Sequence, residues 1–444
     1  LLVLYLTKNK KAAFLGGIMF CFSSFRISHM IAGHFHLFST EWIPFFVLFL
    51  IKTHREYSSR NMLLSTTFLV FNGLISWYLF YYVFFFTCIY VLYFFLKDRM
   101  QSLSLVKRVT IIYFLAFLIL SPYIINTELV SLNDTIFGNH DPDDYPGDLA
   151  GFFVPGQEQT LGRLQPFKEV TSSFKAYFVE NATFLGYTVM FLSLICVYRL
   201  FKKDSMVQLF SMSAIIFFIL TLGSHLHIMG NMIDIVLPYY LLHTYLPFFG
   251  YTGNPARLSL MIAFSLSILA ALVLKEFKFM KKKSRKNDLL FILMLVTILI
   301  EFSSFPFMIS RLEVSDFYYK MAEDKDDYAV IDLNPMSYPC KAMYFQTIHN
   351  KKLVGGYTSR VTLSSIKTLY SEPVISSIIL NEEEIILSNG IKLEGEQLKD
   401  HVKRVLYNMN IRFIIVPVDG DDSVMVQFGL KKIYEDHLIR VYSY

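Results

Sequence analysis

Cysteine is scarce: Cys21, Cys88, Cys196 and Cys340 are the four in 444 residues. They lie far apart with no CxxC pair, so neither a disulfide framework nor a thiolate metal site is supported. The chain also lacks a P-loop, a dinucleotide fingerprint, a nucleophile elbow and a zinc-protease motif, which removes the local signatures of ATP-driven and motif-based hydrolytic chemistry. Charge is thin as well, at 17% Asp, Glu, Lys and Arg. Finally, there is no initiator Met and no signal-peptide layout: LLVLYL runs directly into Thr7, Lys8 and a basic cluster. Those first residues read as the end of a span. The expectation is an N-terminally truncated chain, with at least one helix and its outer loop upstream of Leu1.

What is abundant is grease: 54% hydrophobic residues, 44 Phe and 28 Tyr, far above the composition of a soluble domain. The apolar residues fall into runs long enough to cross about 30 Å of hydrocarbon. Spans are predicted at 12–31, 37–51, 62–76, 78–96, 106–125, 183–201, 206–223, 257–274 and 289–307. The stretch 62–96 is nearly unbroken, but one straight helix of that length overshoots the bilayer, so a hairpin turning near Ser76 and Trp77 is expected. Basic residues mark alternate connections: Lys8, Lys10 and Lys11; Lys52, Arg55 and Arg60; Lys97, Arg99, Lys107 and Arg108; Arg199, Lys202 and Lys203; and the run Lys275 to Lys286. The positive-inside tendency assigns these to the cytoplasm. It also explains the net charge of +5 without any nucleic acid.

The expected fold class is therefore an α-helical polytopic membrane bundle with a C-terminal soluble α/β domain. Residues 1–310 form the transmembrane domain of about nine spans, with a long outer loop at 126–182. Residues 311–444 form a domain on the extracytoplasmic side of a multi-pass cell-membrane protein. Strands are predicted at Ala329–Leu333, Arg412–Pro417 and Ile439–Tyr444, and helices at 373–388 and 398–409. Loops as long as 126–182 are uncommon unless they work. This one carries Asp134, Asp141, Asp143, Asp144, Asp148, Glu158, Glu169 and Glu180, together with two Asn-x-Thr acceptor patterns at Asn133 and Asn181.

Candidate chemistry concentrates in FSSFRISHMIAGHFHLFSTEWIP, which sets Arg26, His29, His34, His36 and Glu41 at a membrane surface. Ionisable groups at that depth are costly and are often functional. The histidines suit a divalent metal, a phosphate, or acid–base work near neutral pH; the bland alternative is interfacial histidines and a snorkelling Arg. The DPDD segment and Asp148 offer hard oxygen ligands for a divalent cation such as Mg or Mn, or simply a solvated acidic turn. Arg257, where an outer loop enters a span, can grip a phosphate bidentately or act as an interfacial anchor. Glu301, near the middle of the last predicted span, is the one clearly intramembrane carboxylate, paired inside the bundle or lining a polar pathway.

Several segments in succession resemble a known family: FSSFRISHMIAGHFHLFSTEWIPFFVLFL; WYLFYY; DLAGFFVPG followed by ENATFLGYTVMFLSL; ILTLGSHLHIMG with LPYYLLHTYLPFFGYTGNPARLSL; and AVIDLNP with YFQTIHNKKLVGGYTSR. Their order is similar to that in multispanning bacterial and archaeal glycosyltransferases of the GT-C type. The resemblance covers nearly the whole chain and implies transfer of a sugar from a polyprenyl-phosphate carrier to an outer-face glycan, lipid or protein acceptor. On that reading His34, His36 and Glu41 are catalytic candidates, and Arg26, His29, Asp148 and Arg257 bind substrate. The main catalytic acid of the family is expected upstream of Leu1. The same groove would also suit a transporter or flippase of lipid-linked glycans, or the chain could be a non-catalytic membrane scaffold; the lack of an internal repeat speaks against the transporter.

Overall fold

The computed structural model describes residues 1–137, 140–246, 249, 253–281, 284–307, 311–333, 340–356, 361–386 and 392–444. The segment SLMIAFSLSILAALVL has no polar face, and a helix apolar all round belongs in the middle of a bundle. This is where it lies: Ser259–Leu274 is helical and every residue but Leu266 is buried. The helices that precede it are α1 (Leu2–Thr7), α2 (Lys10–Cys21), α3 (Ser24–Ile31), α4 (Phe35–Phe38), α5 (Trp42–Arg55), α6 (Ser59–Ile75), α7 (Trp77–Lys97), α8 (Arg99–Asn133), α9 (Gln165–Ser172), α10 (Tyr187–Leu200), α11 (Ser205–Thr221) and α12 (Pro238–Tyr245). The central helix is α13, and α14 is Arg285–Glu301. α2, α10 and α11 pack around α13, while α5 packs on α6 and α6 on α7.

Each apolar run read from the sequence falls on a helix. The break in 62–96 occurs at Ser76, whose extended backbone caps both α6 and α7. Among the described residues, four helical segments are long and apolar enough to cross a membrane: Phe35–Arg55, Trp77–Lys97, Ser102–Asn133 and Pro255–Leu274. A fifth span results if α2 and α3, bent by 46°, are taken together. α10 and α11 are shorter apolar helices. At 35 residues, with Pro122 inside it, α8 extends beyond the predicted 106–125 and is about 52 Å long at 1.5 Å per residue.

One end of this bundle is basic, because the basic connections meet one another. Lys11 pairs with Asp288 at 2.6 Å, Asn9 reaches the Met280 carbonyl at 3.2 Å, and Arg108 donates to the Thr53 carbonyl at 2.7 Å. The opposite ends of the same helices carry the histidines, Glu180 and Arg257.

The chain divides into two compact units, Leu1–Asn126 with Asn139–Met308, and Thr127–Gly138 with Ile309–Tyr444. The last turns of α8 and β1 (Ile136–Phe137), which the sequence reading gave to the outer loop, thus belong with the second unit. A hairpin in the first unit is formed by β2 (His225–Ile228) and β3 (Asn231–Val236).

The second unit contains β4 (Ala329–Asp332), β5 (Lys352–Leu353), β6 (Val361–Thr362), β7 (Ile411–Pro417), β8 (Lys431–Glu435) and β9 (Ile439–Ser443). Its five-stranded sheet has the order β5-β4-β7-β9-β8, with β4 parallel to β5 and β7, and β9 antiparallel to β7 and β8. Side chains alternate across the sheet as the pleat requires. Ile331 and Ile414 pack with helices Pro373–Leu380 and Gly395–Asn408, while Val330 and Ile415 pack with Phe317, Tyr318 and Phe345. Helices on both faces of a mixed sheet make this an α/β unit. The predicted strands and helices thus appear with shifted ends. Residues 387–388 of the predicted 373–388 helix, the 310/311 boundary, and the 247–248, 250–252, 334–335 and 357–360 portions of the resembling segments lie outside the described residues.

Candidate functional site

At the non-basic end of the first unit, α3 ends and the chain turns through Ala32 and Gly33 into α4. The His34 backbone N–H donates to the His29 carbonyl at 2.8 Å, which folds the two imidazoles together, with Nδ1 of His29 3.0 Å from Nδ1 of His34. One of these nitrogens carries the hydrogen and the other accepts it. The His36 ring follows, its centroid 6.1 Å from that of His34. His29 is buried, His34 half-buried and His36 exposed, so the three run from the interior to the surface.

Beneath them lies a buried ion pair. Pro255–Leu258 forms a 3₁₀ turn that starts the α13 span and directs Arg257 at Glu180, from the end of the long loop. Arg257 Nε donates to Glu180 Oε2 at 2.8 Å and Nη2 donates to Oε1. The two side chains are 12% and 6% exposed. The guanidinium also lies over the Tyr78 ring, 4.8 Å from its centroid. The Asn254 carbonyl oxygen, in the amide orientation that satisfies its neighbours, accepts from Nη1 and Nη2 at 3.3 and 3.1 Å. Burial alone raises a carboxyl pKa, but Arg257 more than offsets it and holds Glu180 below its ordinary value, with His29 and His34 adding to the effect. Burial pushes the His34 imidazole below its ordinary value, and Arg257 adds to this against the pull of Glu180. A neutral imidazole at neutral pH follows, which is the form able to accept a proton.

Arg26 is one helical turn before His29 on α3, so the two share a face. Its guanidinium stacks on Phe38 at 4.7 Å and donates to the Phe38 carbonyl at 3.2 Å and the Cys21 carbonyl at 3.5 Å. Together with Glu41 it lines a cavity of about 230 Å³ whose other walls include Gly17, Phe20, Phe45, Phe264 and Ile268. The cavity's lining is thus mostly apolar, with Arg26 and Glu41 as its two charged side chains. Glu41 itself is exposed and makes no cap bond to α5.

Of the residues singled out from the sequence, His29, His34, His36 and Arg257 are brought together, and Arg26 and Glu41 share the neighbouring cavity. Asp148 is held elsewhere. Its carboxylate accepts from the backbone N–H of Ala150 at 2.9 Å, Met229 at 3.0 Å and Gly230 at 2.7 Å, so it ties the long loop to the β2–β3 turn. The DPDD acids are dispersed too: Asp143 pairs with His225 at 2.7 Å and Asp144 with Lys175 at 3.3 Å. Among the described residues no three His, Cys, Asp or Glu side chains converge as metal ligands. Glu301 caps α10, accepting from Thr188 N at 2.9 and 3.1 Å and from its hydroxyl at 2.8 Å. Asn181, beside Glu180, donates its amide to the Ala176 carbonyl.

The sequence reading counted Glu180 only as one acid of an acidic loop. Its signal was position: it is the last acid before the α10 span, in ENATFLGY. Glu158 was passed over in the same way. It is 2% exposed, and burial raises its pKa to about 7 against the opposing pull of Ser28 and Arg163.

The apolar helices and the buried ionic cluster at their ends define a helical membrane protein. A family described as a domain of unknown function, DUF6311, matches residues 1–300, and the chain belongs to that family. No curated protein matches the chain.

Proposed function

We propose that this chain is a membrane glycosyltransferase that moves a sugar from a polyprenyl phosphate to an acceptor hydroxyl at the outer face of the cell membrane. The observation that carries this reading is the adjacency, through one turn of α3, of a mostly apolar cavity lined by Arg26 and a cluster of three histidines over a buried Arg–Glu pair. A lipid phosphate needs an apolar wall and a cation at its edge, and Arg26 with the cavity beside it suits both. Group transfer needs a base for the attacking hydroxyl, and the neutral, half-buried His34 suits that role. The acceptor oxygen would form a bond to the sugar's anomeric carbon as the bond from that carbon to the phosphate oxygen breaks. The hydroxyl proton passes to His34, with His36 on the solvent side, and the charge left on the phosphate is met at Arg26.

Arg257 is saturated by Glu180, Asn254 and Tyr78, which favours a supporting role over the direct phosphate grip considered from the sequence. With Glu180 it fixes the charge against which His29 and His34 sit. The basic connections gathered at one end support a cytoplasmic assignment for that end and an outward one for the cluster.

Photocrosslinking tests the lipid assignment. A polyprenyl phosphate with a diazirine in its first isoprene units is irradiated with the protein in proteoliposomes, and adducts are mapped by mass spectrometry. Adducts at Gly17, Phe45 or Phe264 that fall away in Arg26→Gln are expected; adducts spread evenly over the lipid-facing helices would remove the cavity from the reading.

A further inference from the structure

The segment between α11 and α13 carries an apolar surface that the transfer reaction does not use. β2 and β3 pair antiparallel with a two-residue turn at Met229–Gly230. Both residues have positive φ, 50° and 79°, the backbone of a type I′ hairpin. The turn is clamped. Asp148 takes both backbone N–H groups, and a Cβ on Gly230 would lie 1.7 Å from the Ser173 carbonyl oxygen, so the loop closes directly onto it.

Beyond that clamp the hairpin violates the usual alternation. A strand with one face on a core buries every second residue, yet all six residues of β3 are exposed. On this strand Met232, Ile233, Ile235 and Val236 are between 38 and 58% exposed, and successive residues point to opposite faces, so both faces are apolar. Leu241 and Tyr245 on α12 continue the surface, at 55 and 74% exposed. Asp234 is the only Asp, Glu, Lys or Arg between Ser224 and Leu246. An isolated two-stranded hairpin of this kind is marginal in water, and an exposed apolar patch marks a contact.

We infer that the β2–β3 hairpin and α12 lie in the interfacial zone of the bilayer, with Met232, Ile233, Ile235, Val236 and Leu241 among the acyl chains. Lipid is the occupant for two reasons. The helix before it also turns an apolar face outward: Ile215 and Ile219, on the last turns of α11, are exposed, and the short buried link 220–224 leads from them into the hairpin. The segment also ends ten residues before Pro255, where the next candidate span begins, so it runs from the end of one apolar helix to the start of a candidate span. Tyr240 and Tyr245 supply aromatic rings of the kind that settle at headgroup level. The hairpin would act as an interfacial float that keeps the Asp148-clamped loop at a set depth, and the inference does not depend on the reaction proposed above.

The test uses the full chain in proteoliposomes with a genetically encoded environment-sensitive fluorescent residue at Ile235, and in a second variant at Leu241. Leu118, exposed on the α8 span, and Asp144, exposed in the long loop, are the reference positions. Quenching by acyl-chain nitroxide lipids to the extent seen at Leu118, with protection from aqueous iodide, is expected at both sites. Iodide quenching matching that at Asp144 would overturn the inference. Protection from both quenchers would also overturn it, because the face would then be covered by protein.

Discussion

Replacing Arg257 by leucine leaves the Glu180 carboxylate without its partner in a site where the two side chains are 12% and 6% exposed. Breaking a buried, bidentate pair from one side costs about 3–5 kcal/mol, because the remaining charge is uncompensated. Replacing both partners by leucine removes the stranded charge, so Arg257→Leu/Glu180→Leu should recover most of that loss. The exposed pair Lys392–Glu384, at 46% and 62% exposure, is the internal comparison, since a solvated surface pair contributes little. At roughly 2–4 °C per kcal/mol for a domain of 150–250 residues, each single variant should lower the unfolding midpoint by several degrees, read at one scan rate on the detergent-purified protein. The pH dependence has a definite sign. Glu180 is held below its ordinary value of 4.5, so the pair's contribution is fully present above about pH 4.5 and is lost as pH falls through the lower folded value. Single variants that shift the midpoint no more than Lys392→Ala, or a double variant no better than the worse single, would refute the reasoning.

Three further outcomes follow from the same bundle. Glu158, raised from 4.5 to about 7 by burial, keeps a proton that the unfolded chain gives up; its own contribution to stability therefore falls between about pH 4.5 and 7, by on the order of 3 kcal/mol. The stability of Glu158→Gln relative to wild type should therefore rise across that window and be greatest at pH 8 in the same thermal assay. Gly186→Ala forces a Cβ to 2.4 Å from the Phe302 ring at a φ of +82°, so a loss of about 1–3 kcal/mol is expected by thermal shift. Glu301→Ala removes the acceptor of three hydrogen bonds at the start of α10 and should cost about 1–2 kcal/mol; Glu301→Gln, which keeps an acceptor oxygen, should cost less.

The helical layout was legible because apolar runs broken by basic clusters are a strong, one-dimensional signal; even the break at Ser76 could be read from length alone. The α/β unit was legible from its β-branched runs, with strand ends off by a residue or two. The site was legible only in part. His29, His34, His36 and Arg26 are neighbours in sequence, so their clustering needed no long-range contact. The Arg257–Glu180 pair joins residues 77 positions apart, and the one local mark on Glu180, its place as the last acid before the α10 span, does not point to its partner. Asp148 misled for a related reason: its partners are the backbone N–H groups of Met229 and Gly230, which have no sequence signature. The full exposure of β3 was equally hidden, since a strand's partners decide what its faces meet.

The measurement closest to the central claim is sugar transfer itself, using the protein in liposomes with radiolabelled polyprenyl-phosphate sugars and a cell-envelope acceptor extract. Labelled acceptor that forms with wild type, and is lost in His34→Ala while the thermal midpoint is unchanged, is the result this account predicts. Movement of labelled lipid between leaflets with no labelled acceptor, or transfer undiminished in His34→Ala, would contradict it.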